Sequence, residues 1–163
     1  MRFMELAIEE AVAAKVAGEV PVGALIVHRD GEIISRAHNL TKSTYDPSAH
    51  AEINALRIAT EKVKNNVLTD YDLFVTLEPC LMCMVAISNA RIRRIYFGAY
   101  ASQMIEFSSK ESSRYLSSRE CNHRPEIYGG ILEEKNIELI RTFFQSKRGL
   151  KYCLLYTSDA ADE

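Results

Sequence analysis

The chain has 163 residues, 47% of them hydrophobic and 26% charged, values that fit one folded domain with a sizeable core and exclude a disordered chain. The net charge of −2, taken as an average, argues against a nucleic-acid partner. The average hides a split: residues 1–90 carry net −4, residues 91–151 net +5 and residues 152–163 net −3, although charge alone reads the basic stretch as a solvated surface.

Residues 2–17 have the spacing of an amphipathic helix, with Met4, Ala7, Ile8, Ala11, Val12 and Val16 on one side and Gly18 as its stop. Val22–His28 is an apolar, β-branched run. Arg29-Asp30-Gly31 supplies a hairpin turn, and Glu32–His38 returns as a second strand. A polar loop over Asn39–Ser48 leads to a helix over Ala49–Lys62, with Ile53, Leu56 and Ala59 or Ile58 on its apolar side. Tyr71–Leu77 reads as a strand, Cys80–Asn89 as a buried helix opened by Pro79, and Arg93–Phe97 as another strand. Ala101–Arg124 is Ser-rich and has no clear period. Glu126–Tyr128 reads as a strand or a loop, and Leu132–Arg148 as a helix carrying Ile137, Leu139, Ile140, Phe143 and Phe144. A hairpin followed by strands alternating with helices indicates an α/β layered fold, whose later strands can run parallel because helices connect them.

No apolar run approaches the about 20 residues of a membrane helix. Glu5, Glu9 and Glu10 fall where a signal peptide would be apolar. The cytoplasm is therefore the expected compartment. There, Cys80, Cys83, Cys121 and Cys153 point to metal binding or catalysis before a disulfide framework.

Two short motifs carry chemistry: His50-Ala51-Glu52 and Pro79-Cys80-Leu81-Met82-Cys83. Each opens a predicted helix. Cys80 and Cys83 share a helix face at their spacing, and a helix N-terminus favours a thiolate. If the two helix starts converge, His50, Cys80 and Cys83 form a three-ligand set suited to Zn²⁺ with a fourth position open, the pattern of a catalytic site. Glu52, beside such a metal, suits a general base and then acid. His-x-Glu followed by Pro-Cys-x-x-Cys is the zinc deaminase signature. The bland reading is a structural zinc site closed by Cys121, Cys153 or another histidine, in a binding module without catalysis. His28, His38 and His123 read as surface or core residues.

Further stretches extend the match. They are Glu19-Val20-Pro21-Val22-Gly23-Ala24, Asp46-Pro47-Ser48-Ala49 before His50, and Thr76-Leu77-Glu78 before Pro79. Arg91-Ile92-Arg93-Arg94-Ile95-Tyr96-Phe97-Gly98-Ala99, Asn122-His123-Arg124-Pro125-Glu126-Ile127 and Gly130-Ile131-Leu132 follow, and then Phe143-Phe144 before Lys147-Arg148. On these the chain resembles the bacterial tRNA-specific adenosine deaminases over roughly residues 3–150.

The resemblance implies a three-layer α/β/α cytidine deaminase-like fold with a central mixed five-stranded sheet. It implies one Zn²⁺ per chain on His50, Cys80 and Cys83, with Glu52 as the catalytic proton shuttle. The activity implied is hydrolytic conversion of adenosine to inosine at the wobble position of a tRNA anticodon loop, by a homodimer. Asn39 matches the residue that hydrogen-bonds the inserted base, and Phe144 and Arg148 match positions that touch the RNA loop. Read without the resemblance, Asn39 is a turn residue, Phe144 core and Arg148 a solvated helix end. The competing enzyme is a free nucleobase or nucleoside deaminase, acting on guanine, cytosine or a riboflavin precursor.

The chain departs from the family in two places. Tyr100-Ala101-Ser102-Gln103-Met104-Ile105 replaces an acidic residue and a Lys-Thr-Gly-Ala-like stretch. Residues 152–163 are acidic where the family is basic. The expected organisation is a deaminase domain over residues 1–151, followed by a tail of read-through or assembly origin with no assigned function. Without that tail the remaining chain sums to +1.

Overall fold

The computed structural model describes residues 1–103 and 108–147. The elements follow the order α1 (Arg2–Val16), β1 (Gly23–His28), β2 (Ile33–His38), α2 (Ala51–Val63), β3 (Tyr71–Leu77), α3 (Leu81–Asn89), β4 (Arg94–Ala99), α4 (Ser108–Ser117), β5 (Glu126–Tyr128) and α5 (Glu133–Lys147). The strands form one sheet in the order β2-β1-β3-β4-β5. β1 is antiparallel to both its neighbours, while β3, β4 and β5 are parallel. This is the mixed five-stranded sheet expected.

Helices cover both faces. One face packs its large cluster, including Ile26, Leu73, Val75, Ile95 and Phe97, against Ala55, Leu56 and Ala59 of α2 and Met84 and Ile87 of α3. Tyr115 and Leu116 of α4 close the same cluster. On the other face Met4 and Ala7 of α1 meet Leu25 and Val27, and α5 packs beside α1 against β4. Each large aliphatic side chain so buried contributes about 1.5–3 kcal/mol to the driving force.

The helix faces differ in part from the periodic reading. In α1 the buried residues are Met4, Ala7, Ala11 and Ala14, whereas Val12 and Val16 are 44% and 85% exposed. The reason is close approach: a Cβ placed on Gly23 would lie 2.0 Å from the Ala7 carbonyl oxygen. Helix and sheet thus meet nearly backbone to backbone, and only small side chains fit the contact. Ile58 likewise faces outward from α2. Helix α1 ends as the sequence suggests, in a Schellman motif with Gly18 at φ +78°. Gly18 N donates to Lys15 O at 3.0 Å and Glu19 N to Ala14 O at 2.9 Å.

The Ser-rich stretch contains α4, which the sequence pattern did not reveal. It follows a single 3₁₀ turn at Ala101–Gln103. Ser112 is buried there and its hydroxyl donates to the Pro79 carbonyl at 3.1 Å. β5 resolves the ambiguity at Glu126–Tyr128 in favour of a short edge strand. Among the described residues no helix is long and apolar enough to cross a membrane.

Candidate active site

The sheet topology creates the site. β2 and β3 both run antiparallel to β1, which lies between them. They therefore point the same way, and the helices that follow them, α2 and α3, start at one end of the sheet. His50 is the N-cap of α2 and Cys80 the N-cap of α3, both with extended backbone and neither using its side chain to cap. Imidazole and thiol are thus free to turn inward, and Cys83 joins them from the first turn of α3.

His50 Nδ1 lies 3.7 Å from Cys80 Sγ and 3.5 Å from Cys83 Sγ. The three donor atoms all fall within 4.8 Å of one another. A tetrahedral centre with ordinary zinc–sulfur and zinc–nitrogen bonds has nitrogen–sulfur edges of about 3.6 Å. The donor set therefore fits Zn²⁺ in both chemistry and spacing. Among the described residues no other His, Cys, Asp or Glu joins this cluster. Cys121 is buried elsewhere, against the Ser88 hydroxyl and the His123 carbonyl, and His123 Nε2 engages the Ile92 carbonyl at 2.7 Å. A closed four-ligand site built from those residues is therefore not formed. Cys153 lies outside the described residues.

The electrostatics match a cation site. The hydrogen bond from Cys83 draws the Cys80 thiol down to about 4, and the His50 imidazole lowers it further. Cys83 is pushed up by the same hydrogen bond and by burial. The positive end of α3 favours the thiolate form of the cysteines at its start. His50 is raised, first by its hydrogen bond to Cys80.

Glu52 sits in the first turn of α2, with only 4% of its surface exposed. Burial pushes its carboxyl up to about 7, and the neighbouring Cys80 charge works in the same direction. A carboxyl balanced near neutrality can both take and give a proton.

Asn39 follows β2 and is buried, its Nδ2 donating to Glu19 Oε2 at 3.1 Å and Thr41 Oγ1 at 3.2 Å. Its loop is tied to the metal cluster's approach, since Leu40 N donates to the Ala49 carbonyl at 3.0 Å. Asn39 and His50 each adjoin one end of that bond. Phe144 is not in this cluster. It lies on α5, 41% exposed, edge-on to Phe143 with ring centroids 5.3 Å apart. Phe143, not Phe144, is the core residue of the pair. Arg148 lies outside the described residues, as do Met104, Ile105 and the tail.

Two supporting residues were not singled out from sequence. Glu78, just before Pro79, accepts from Ala101 N at 2.9 Å and so holds the turn after β4. Its signal was its place in the Thr76-Leu77-Glu78 stretch that carries the resemblance, which assigned it no role. Ser112, which secures Pro79 from α4, had none.

A family model for the cytidine and deoxycytidylate deaminase zinc-binding region matches residues 1–99. The tRNA-specific adenosine deaminase of Agrobacterium fabrum is 46% identical over 147 residues, covering 90% of this chain and 94% of its own. The chain belongs to the tRNA-specific adenosine deaminase family. A solved structure from work on A-to-I editing by tRNA:A34 deaminases at the wobble position of transfer RNA superposes with a TM-score of 0.76 at 43% identity, over 85% of this chain and 98% of the other. The guanine deaminase of Bacillus subtilis shares 29% identity over 91% of this chain and 93% of its own, at a TM-score of 0.62. The guanine enzyme is thus the more distant of these relatives in both sequence and shape. With the family come the cytidine deaminase-like fold and a zinc cofactor, and His50, Cys80 and Cys83 are placed where they could hold that ion.

Proposed function

We infer that this protein hydrolyses adenosine to inosine at the wobble position of a tRNA anticodon loop. The reading is carried by one observation: Glu52 is buried against three convergent zinc donors, in a chain 46% identical to a tRNA-specific adenosine deaminase. The reaction adds water across the ring carbon that bears the amino group, breaks its C–N bond and releases ammonia, with no change of oxidation state.

His50, Cys80 and Cys83 would hold the zinc, one ion per chain, which supplies Lewis acidity and lowers the pKa of water. Glu52 moves the protons. It takes one from the attacking water and passes it to the adjacent ring nitrogen, then takes the second from the hydroxyl left on the ring carbon and delivers it to the departing amine as the carbonyl forms. Its burial keeps bulk water from competing for that proton.

Asn39 hydrogen-bonds the purine and fixes it over the metal cluster. A base can reach such a site only when out of the helical stack, which suits an anticodon loop better than a duplex. Phe144 and Arg148 lie on and just beyond α5, where an aromatic ring and a cation serve the RNA loop by stacking and phosphate contact. The partner is then the anticodon stem-loop, the working unit a homodimer, the compartment the cytoplasm, and the catalytic domain residues 1–151.

The direct test is to incubate the protein with an anticodon stem-loop and, separately, with free adenosine and guanine, and to quantify inosine and xanthine. Inosine at the wobble position of the RNA is expected. Turnover of a free base with none on RNA would assign the chain to the nucleobase deaminases instead.

A further inference from the structure

Glu19 is a fully buried carboxylate that the chemistry above does not use. It is 0% exposed, and among the described residues no Lys, Arg or His pairs with it. A buried charge without a cation survives only if hydrogen bonds replace its hydration. Here they come from one short loop. Oε1 accepts from Ser43 N at 2.6 Å and Ser43 Oγ at 2.8 Å. Oε2 accepts from Asn39 Nδ2 at 3.1 Å, Lys42 N at 3.3 Å and Thr41 Oγ1 at 3.4 Å. Burial pushes the Glu19 carboxyl up, but the Ser43, Lys42 and Thr41 donors outweigh it and hold it below its ordinary value. Five donors and no acceptor face this group, so it acts as an ionised acceptor.

Its backbone is equally fixed. Glu19 N makes the closing bond of the Schellman motif at the end of α1, to Ala14 O. The carboxylate is thus mounted on the frame of the domain, while everything it binds belongs to the loop that begins at Asn39. A carboxylate can only accept. The nitrogen edge of the Asn39 amide must therefore face Glu19, and the amide cannot turn over without setting its own oxygen against a negative charge.

We propose that Glu19 is a positioning residue for the deamination: it fixes the orientation of the Asn39 amide and the shape of the 39–43 loop, so that Asn39 offers the purine its Oδ1 acceptor and not its amide nitrogen. This rests on the reading of Asn39 as the residue that touches the base. Glu19 itself touches neither base nor metal ligand. An amide held on one edge is pre-organised, and that advantage is realised as the base enters the geometry of reaction, so its loss falls on kcat more than on KM.

A double-mutant cycle tests this. Glu19→Gln keeps the shape of the side chain but can donate as well as accept, which lets the Asn39 amide take either orientation. Glu19→Gln, Asn39→Ala and the double variant are assayed as zinc-loaded proteins on an anticodon stem-loop, with zinc content and Tm recorded. The expected result is stoichiometric zinc and a loss in kcat of about tenfold for Glu19→Gln, shrinking to less than about twofold in the Asn39→Ala background. The same loss in both backgrounds, or none in either, overturns the role of Glu19 while leaving Asn39 as a base contact. An Asn39→Ala variant of unchanged kcat/KM overturns the base contact and the Glu19 role with it. Should Glu19→Gln melt too low to assay, Ser43→Ala removes one donor from the same carboxylate, and the cycle with Asn39→Ala reads out the same way with a smaller effect.

Discussion

The metal cradle and the C-terminal helix differ in how they are held. His50 and Cys80 are caps of helices that rise from two strands of one sheet, and Cys83 and Glu52 are buried within a turn of them. Helix α5 sits on the opposite face and buries only Asn136, Ile140 and Phe143, leaving Phe144 in solvent. On the proposed function, the contrast separates two kinds of work. Groups that act on a bond are fixed by the topology of the sheet. Groups that meet a large substrate are carried on a surface where sequence can change without disturbing the chemistry.

That separation can be broken most directly at the cradle. Replacing Cys83 with Ala should abolish both zinc retention and inosine formation, as measured by metal analysis and nucleoside chromatography. A variant that keeps stoichiometric zinc would show that the three-donor set is misread. Glu52→Ala sharpens the point, because it should spare the metal and lower the rate by about 10²- to 10⁴-fold. Unchanged deamination there would remove Glu52 from the proton path. At α5 the effects should be graded. Phe144→Ala should weaken binding of an anticodon stem-loop by about 1–3 kcal/mol, the worth of one base–aromatic stack, without altering zinc content or Tm. Smallest of all, Arg148→Ala should flatten the log–log salt dependence of RNA affinity by about 0.7. An equal slope in parent and variant would place the phosphate elsewhere.

Much of this was legible in the chain because its strongest signals are local. β3 falls on Tyr71–Leu77 as the pattern suggests, and the candidate metal donors lie in two short motifs at helix starts. What escaped depends on contacts distant in sequence. The valines of α1 outweigh its alanines in any hydrophobic pattern, yet a close approach to Gly23 selects the alanines for burial. α4 carries mostly polar residues and is stabilised by Tyr115, Leu116 and the Ser112–Pro79 bond, none of which has a periodic signature. Glu19 and Asn39 are 20 residues apart, and no motif rule joins an acid at a helix end to an amide after a hairpin.

The balance of charge takes on a local meaning as well. Some acids of this half are consumed by the structure: Asp72, at the start of β3, is clamped by Arg93 through two bonds of 2.8 and 2.7 Å, and Glu19 by its loop. The net −4 of residues 1–90 is therefore in part internal, and does not weigh against an RNA partner as a free surface charge would.

The capping geometry of His50 and Cys80 has one more consequence. Neither side chain is spent on closing its helix, so both remain available to a ligand, and the strands that carry them are packed by two apolar clusters on the faces of the sheet. A frame packed in this way is expected to fold before the metal binds, unlike a zinc finger, whose ion folds its own domain. The protein should then accept a spectroscopic substitute such as Co²⁺ by simple exchange at native pH, turning a colourless centre into its own optical reporter.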